Sequence, residues 1–117
     1  MAVYVDTMQA PYKGMLMCHM IADCEQELHA MAAAIGMQRK SYQGDHYDIP
    51  MHMKQLALQN GAREISMREL AALVFLQRAG QPMGEPETAV ARMRSWKRQN
   101  ALAPFGSTAA PGNRAGG

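Results

Sequence analysis

The chain has 117 residues, of which 48% are hydrophobic and 19% are charged, a composition typical of one small globular domain and not of a disordered segment. Twelve Lys and Arg residues against ten Asp and Glu residues leave a net charge of +2. This balance excludes a protein that binds nucleic acid through bulk positive charge alone. No apolar run is long enough to cross a bilayer, and no export signal is recognisable. We therefore expect a cytoplasmic protein without a membrane partner.

The N-terminal segment predicts two strands. Residues 3–5 are β-branched and aromatic, and they end at the carboxylate of Asp6, which is typical of a short strand. Proline and glycine over residues 7–14 predict a loop. Residues 15–21 form a second apolar run of strand length. Because both of its faces are mostly apolar, we expect this second strand to be central in the sheet.

The next segment predicts a helix and then a less regular stretch. Asp23, followed by Gln26 three residues later, has the spacing of a capping box, in which each side chain binds a free backbone N–H at the helix start. The apolar spacing continues to Gly36, which predicts a left-handed helix end. Residues 41–43 are a possible strand. Residues 46–49 fit either the end of a strand or a loop.

The second half alternates helices with one further strand. A helix is predicted over 50–60 and a short strand over 63–65. Ser66 and Glu69 have the spacing of a second capping box, followed by a helix over 67–79. The helix over 67–79 has apolar residues on most of its faces, so we expect it to be buried inside the fold or inside an oligomer. A homodimer is therefore a possible assembly.

A final amphipathic helix begins at Pro86 and fades near Leu102. The order of the elements predicts an α/β fold, a small mixed or parallel sheet flanked by helices. We divide the chain into a compact α/β domain, a linker with the C-terminal helix, and a disordered tail, at residues 1–80, 81–102 and 103–117. The tail is rich in Gly, Ala and Pro and cannot bury enough apolar surface to become ordered.

A polar set of His and Asp side chains is the strongest candidate for chemistry, and its members are Asp6, His19, His29, Asp45, His46 and Asp48. His29 lies one residue off the apolar stripe of its helix, so we expect it to face solvent. We expect Asp6, His46 and Asp48 to hold a divalent metal ion, because imidazoles and carboxylates together suit Zn²⁺, Mn²⁺ or Mg²⁺. His19 and His46 are the candidate catalytic residues, with His19 as a base or as a group that orients another. No regular ligand spacing such as HExxH occurs. The alternative is that each side chain serves only its local structure.

Other motifs in the sequence are weaker evidence of function. In a strand His19 points away from Cys18 and Met20, because successive side chains alternate. This alternation argues against a soft-metal site along residues 15–20 and against a Cys18–His19 nucleophile and base. No glycine-rich phosphate loop is present in the sequence. The basic residues around Trp96 do not form one stripe, so a solvated helix face is favoured over a phosphate-binding surface.

Several short blocks resemble a domain-of-unknown-function family of bacteria and phages. The blocks occur in a fixed order over about residues 3–70, and they are Tyr4-Val5-Asp6, Cys18-His19-Met20-Ile21-Ala22-Asp23, Glu27-Leu28-His29, His46-Tyr47-Asp48 and Gly61-Ala62. The resemblance implies a bacterial or phage accessory protein, and it implies no activity.

Two functions of different class remain open from the sequence. The first is a small metal-dependent hydrolase, or a ligand-binding protein, that acts on a phosphate-bearing molecule such as a nucleotide or nucleic acid. The second is a non-catalytic phage accessory protein that binds a host protein or a small signal molecule. The first requires the His and Asp side chains to converge. The second requires an exposed apolar surface, which the methionine-rich composition could supply.

Overall fold

The computed structural model describes residues 2–101. By its internal contacts the chain divides into two compact units, residues 1–70 and 71–117. The predicted tail over 103–117 lies outside the described residues. Among residues 2–101, no helix combines the length and the apolar composition needed to cross a membrane.

The first unit contains a mixed five-stranded sheet, which confirms the predicted α/β class. Its strands are β1 (Val3–Asp6), β2 (Ala10–Tyr12), β3 (Met15–Ala22), β4 (Tyr47–Pro50) and β5 (Arg63–Ile65). The long strand β3 is central, as expected. It pairs antiparallel with β1 and β2 along one edge and with β4 along the other, and β5 runs parallel to β1.

The two faces of the sheet have different roles. One face carries the apolar core, in which side chains of β1, β3 and β4 pack with those of two helices, α1 (Glu25–Ile35) and α2 (Met51–Gln59). Cys18 and Met20 of β3 belong to this core and are fully buried. Because strand side chains alternate, His19 lies on the opposite face. The polar set therefore lies on the face opposite this core, and Tyr4 and Ile21 are buried on that same face.

Helix α1 ends as predicted but does not begin as predicted. Gly36 has φ +93°, and its N–H contacts the carbonyls of the last turn, so the left-handed end is confirmed. The capping box of Asp23 is wrong. The helix starts after Cys24 without a side-chain cap, because the Asp23 carboxylate accepts the N–H of Ala2 at 3.1 Å. Pairing of β1 with β3 brings these two residues together, and the carboxylate is used there.

Two further segments differ from the sequence predictions. Residues 10–12 form β2 where a loop was expected. Pro11 is tolerated because β2 is an edge strand, where a missing N–H is least costly, and a tight turn at Lys13 (φ +49°) and Gly14 (φ +78°) closes the hairpin. The possible strand over 41–43 is instead the end of a 3-10 helix and one isolated bridge from Tyr42 to Tyr47.

The remaining helices are α3 (Met67–Arg78) and α4 (Pro86–Ala101). The capping box at the start of α3 is confirmed, because the N–H of each of Ser66 and Glu69 is 3.0 Å from a side-chain oxygen of the other. Helix α3 also carries exposed residues, including Met67 and Arg68, so it is not buried around its whole girth. A homodimer stays a prediction.

In the second unit, Arg92 of α4 is used to hold the preceding linker. Its guanidinium donates to the carbonyls of Met83 at 2.7 Å and Glu85 at 2.8 Å, and its Nε donates to Thr88 at 2.9 Å. These bonds fix the path of the chain into the helix. Arg92 is therefore a structural anchor, whose hydrogen-bond donors are directed at protein oxygens.

The linker glycines provide a matched test of this anchor. Gly84 and Gly80 both have positive φ, +62° and +75°, so alanine is strained at either by about 1–2 kcal/mol. A Cβ on Gly84 would also lie 2.8 Å from the Arg92 guanidinium, whereas one on Gly80 would meet nothing within 4 Å. We expect Gly84→Ala to lower the thermal midpoint more than Gly80→Ala in calorimetry. Equal effects would contradict the role of Arg92.

Candidate metal centre

Three strands bring the predicted polar residues to one place on the face of the sheet opposite the core of α1 and α2. Asp6 is the last residue of β1, and His19 lies near the middle of β3. The antiparallel register of β3 and β4 sets Asp48 directly opposite His19, and directly opposed residues point to the same face. His46 lies just before β4, two residues from Asp48, and shares that face. The sheet thus gathers residues that are far apart in sequence.

Asp6 is buried behind His19, with only 1% of its surface exposed. Its Oδ1 accepts the backbone N–H of His19 at 3.0 Å and of Met8 at 3.3 Å. Its Oδ2 lies 2.8 Å from Nδ1 of the His19 ring. Asp6 therefore fills the interruption between β1 and β2, where β3 has no backbone neighbour on that edge. A buried carboxylate is tolerated there because several N–H groups satisfy it.

The ring of His46 is held in the same way by its neighbour Asp45. Nδ1 of His46 is 2.7 Å from Oδ1 of Asp45. An ionised carboxylate can only accept a hydrogen bond, so Nδ1 carries the proton in both histidines. In a neutral imidazole, the opposite nitrogen then presents a lone pair. Both His19 and His46 are thereby set with Nε2 available as a ligand atom.

The two Nε2 atoms face one carboxylate oxygen. Oδ1 of Asp48 lies 3.5 Å from Nε2 of His46 and 3.9 Å from Nε2 of His19, and the three residues offer ligand atoms within 4.8 Å of one another. Ligands about 2.0 Å from a tetrahedral ion are roughly 3.3 Å apart, so small side-chain movements would complete a site. The side chains of His19, His46 and Asp48 are 32%, 22% and 40% exposed, which leaves room for a further ligand.

The structure therefore brings together the four residues predicted to be catalytic or metal-binding, in a different arrangement from the one predicted. The sequence predicts Asp6, His46 and Asp48 as ligands and His19 as a base or an orienting group. In the fold Asp6 orients His19, and His19 faces Asp48. Asp6 and His19 exchange roles because Asp6 fills the gap between strands β1 and β2. The predicted loop over residues 7–14 did not indicate this gap. Asp45 belongs to the predicted polar set, but the sequence assigned it no role, and the structure places its carboxylate against Nδ1 of His46.

A second polar cluster occupies the core side of the sheet. His29 of α1 is only 13% exposed, and its Nδ1 lies 2.7 Å from the Tyr47 hydroxyl. Its Nε2 is 3.2 Å from Glu25, and its ring contacts Tyr42 edge to face. The expectation that His29 faces solvent is wrong, because the helix packs it against β4. Burial raises the pKa of Tyr47, so this phenol stays neutral and structural.

Cys18 does not belong to the candidate centre. It is fully buried in the core, and burial, together with the nearby negative charge of Asp6, raises the pKa of its thiol to about 11. A thiolate is the reactive form of cysteine, so a raised pKa makes Cys18 inert. This agrees with the alternation argument against a Cys18–His19 pair.

The raised pKa of Cys18 predicts a loss of stability at alkaline pH. The unfolded thiol ionises near its ordinary value of 9.0, whereas the folded thiol keeps its proton until about 11. Between these values the folded state binds more protons, so the free energy of unfolding falls as pH rises, by roughly 2–3 kcal/mol at pH 11. Urea unfolding between pH 8 and 10 measures this slope. Cys18→Ala should flatten it; an unchanged slope would contradict the assignment.

Comparison with known proteins assigns the family but no activity. No curated protein and no solved structure matches the chain. A family model described as "Protein of unknown function (DUF4031)" matches residues 3–77. The match includes all five strands and therefore all the residues of the candidate metal centre. Because it covers more than half of the sequence, the chain belongs to this family of unknown function.

Proposed function

We propose that the protein is a metal-dependent hydrolase that acts on phosphate esters. In this proposal a divalent transition-metal ion is held by Nε2 of His19, Nε2 of His46 and Oδ1 of Asp48. Asp6 and Asp45 orient the two imidazoles. His19 and His46, which the sequence predicts as catalytic residues, are ligands of the ion in this proposal.

The observation that carries the proposal is the meeting of three acceptor atoms. With Nδ1 of each histidine donating to its own carboxylate, Nε2 of the neutral ring has no hydrogen to offer Asp48. Two lone pairs and a carboxylate oxygen then face one another at 3.5 and 3.9 Å. Such an arrangement is unfavourable unless a positive charge lies between the atoms. A metal ion supplies that charge and satisfies all three atoms at once.

The donor set favours a metal that binds nitrogen. Imidazole suits Zn²⁺, Co²⁺, Ni²⁺ and Fe²⁺, whereas Mg²⁺ and Ca²⁺ are bound by oxygen ligands. Carboxylates that hold the second nitrogen of metal-binding histidines are a common feature of such centres, and they strengthen the ligand. Here both histidines have one. Of the ions named from the sequence, Zn²⁺ is therefore favoured over Mn²⁺ and Mg²⁺, because Mn²⁺ also prefers oxygen ligands.

Three protein ligands leave a position for water or substrate. A zinc ion with three ligands lowers the pKa of its bound water toward neutrality and polarises a phosphoryl oxygen. Phosphate esters suit such a site because the ion can neutralise charge on the phosphate. The partly exposed ligands support access by a substrate. The choice of phosphate over other esters rests on this charge argument.

The second candidate is the non-catalytic accessory protein that binds a partner protein. The observation in its favour is the tip of the β2–β3 hairpin, where Tyr12, Met15 and Leu16 are exposed. We further propose that the protein acts in the cytoplasm as a bacterial or phage accessory protein, in keeping with the resemblance noted from its sequence.

Metal binding is tested first by thermal melting. Zn²⁺ at a hundred times its dissociation constant stabilises a folded protein by about 2.7 kcal/mol, which raises the midpoint of a domain of this size by roughly 10 °C. We expect this rise in the wild type and its loss in His46→Ala. The matched control is His52→Ala, since His52 is an exposed histidine of α2 outside the cluster. A rise that persists in His46→Ala would refute the site.

Hydrolysis is tested with bis(4-nitrophenyl) phosphate and the Zn²⁺- or Mn²⁺-loaded protein. Removing the Asp48 ligand in Asp48→Asn should abolish turnover. Asp45→Asn should weaken metal affinity by roughly 10- to 100-fold, as loss of an outer partner does, and excess metal should restore its turnover. A protein that binds the metal and hydrolyses no phosphate ester would contradict the proposed activity while leaving the metal site intact.

A further inference from the structure

The β2–β3 hairpin extends the face of the sheet that carries the candidate metal centre. Its register sets Tyr12 opposite Met15 and Ala10 opposite Met17, and opposed residues share a face. Met15, Met17 and His19 alternate along β3 and also share a face. Tyr12 therefore lies on the same face as His19 and Asp48, whereas Leu16 points to the other.

This face is exposed at the hairpin tip and half-buried at Met17, between the tip and the centre. Tyr12 is 54% exposed, and Met15, like Tyr12, is among the exposed large apolar residues. Nζ of Lys13 lies 5.3 Å from the centroid of the Tyr12 ring. An aromatic ring and a cation are thus presented together at the exposed end of this face, and the His and Asp cluster lies at its other end.

A ring with an adjacent cation is the combination that binds single-stranded nucleic acid. Bases stack on exposed aromatic side chains, and lysine contacts the phosphate next to them. From Met15 to His19 the strand advances about 13 Å, at about 3.3 Å per residue. That distance corresponds to about four stacked nucleotides at 3.4 Å each. A mononucleotide is too short to contact both ends.

We infer that the substrate of the proposed hydrolase is a single-stranded nucleic acid, with one base stacked on Tyr12, its phosphate near Lys13, and a second phosphate at the metal ion. The inference rests on the proposed function, since the metal ion supplies one of the two contacts. It adds a binding site at the hairpin tip and selects an oligonucleotide over a free nucleotide.

The negative charges near the candidate metal centre make oligonucleotide binding dependent on the metal ion. Asp45 and Asp48 place negative charge beside the position of the second phosphate, and like charges repel. A bound divalent cation offsets most of this negative charge and can take a phosphate oxygen as a ligand. Binding of an oligonucleotide should therefore require the metal, whereas docking of a partner protein on the apolar hairpin would not.

The test is fluorescence anisotropy with end-labelled oligo(dT) of two and eight nucleotides, at equal Zn²⁺ or in EDTA. Gel analysis of the label verifies that the oligonucleotide is intact during the measurement. We expect the octamer to bind in Zn²⁺ only. Tyr12→Ala should weaken its binding by about 5- to 100-fold, the range for loss of one stacked base, while Tyr12→Phe should retain it. Lys13→Gln should reduce the salt dependence by about one phosphate contact.

The matched control is Leu16→Ala, which removes an exposed apolar side chain, 44% exposed, from the reverse face of the same hairpin. This substitution should leave binding of the octanucleotide unchanged. Tyr12→Ala should leave binding of the dinucleotide unchanged. Equal weakening by Leu16→Ala and Tyr12→Ala, or equal binding in EDTA, would overturn the inference and favour a protein-docking hairpin. Zn²⁺-dependent melting and phosphate-ester hydrolysis without octamer binding would overturn it while sustaining the proposed function. Absence of Zn²⁺ binding would refute both.

Discussion

The carboxylate of Asp6 organises the polar face of this protein. It is buried at the end of β1, and it accepts two backbone N–H groups and the ring nitrogen of His19. These bonds replace the backbone partners that β3 lacks between β1 and β2. The same carboxylate therefore completes the sheet and fixes which nitrogen of His19 faces outward. Removing it would disturb both the strand edge and the imidazole, so its two roles cannot be separated by one substitution.

The sheet keeps two kinds of chemistry apart. On the core side, Tyr47 and His29 form a buried hydrogen bond, and burial keeps the phenol and the Cys18 thiol protonated. On the other side, the strand residue that follows Tyr47 is Asp48, which meets the two histidines at half-exposed positions. Strand alternation puts a structural group and a candidate ligand next to each other in sequence but on opposite faces. The proposed hydrolase uses only the second set.

Individual residues show which local sequence patterns predict a contact correctly and which do not. The spacing of Ser66 and Glu69 predicted a capping box that forms, because both partners lie within one helical turn and nothing else competes for them. The same pattern at Asp23 failed, because β1 returns Ala2 to that carboxylate. The hairpin around Lys13 and Gly14 was not predicted, because proline and glycine together indicate a loop. An edge strand nevertheless tolerates a proline, and β2 is such a strand. His29 was expected in solvent because its helix was considered without the strand against which it packs.

The amino-acid sequence alone determined the α/β class, the central position of β3 and the end of α1 at Gly36. It also determined which His and Asp residues are candidates for a functional site. These properties depend on composition, on apolar periodicity and on the allowed φ of one residue, all of which are local. The tertiary structure alone decided that Asp6 stands behind His19 and that His19 meets Asp48 beside His46. Those relations depend on strand register, which joins residues 13 to 29 positions apart through backbone pairing, and no local pattern encodes that pairing.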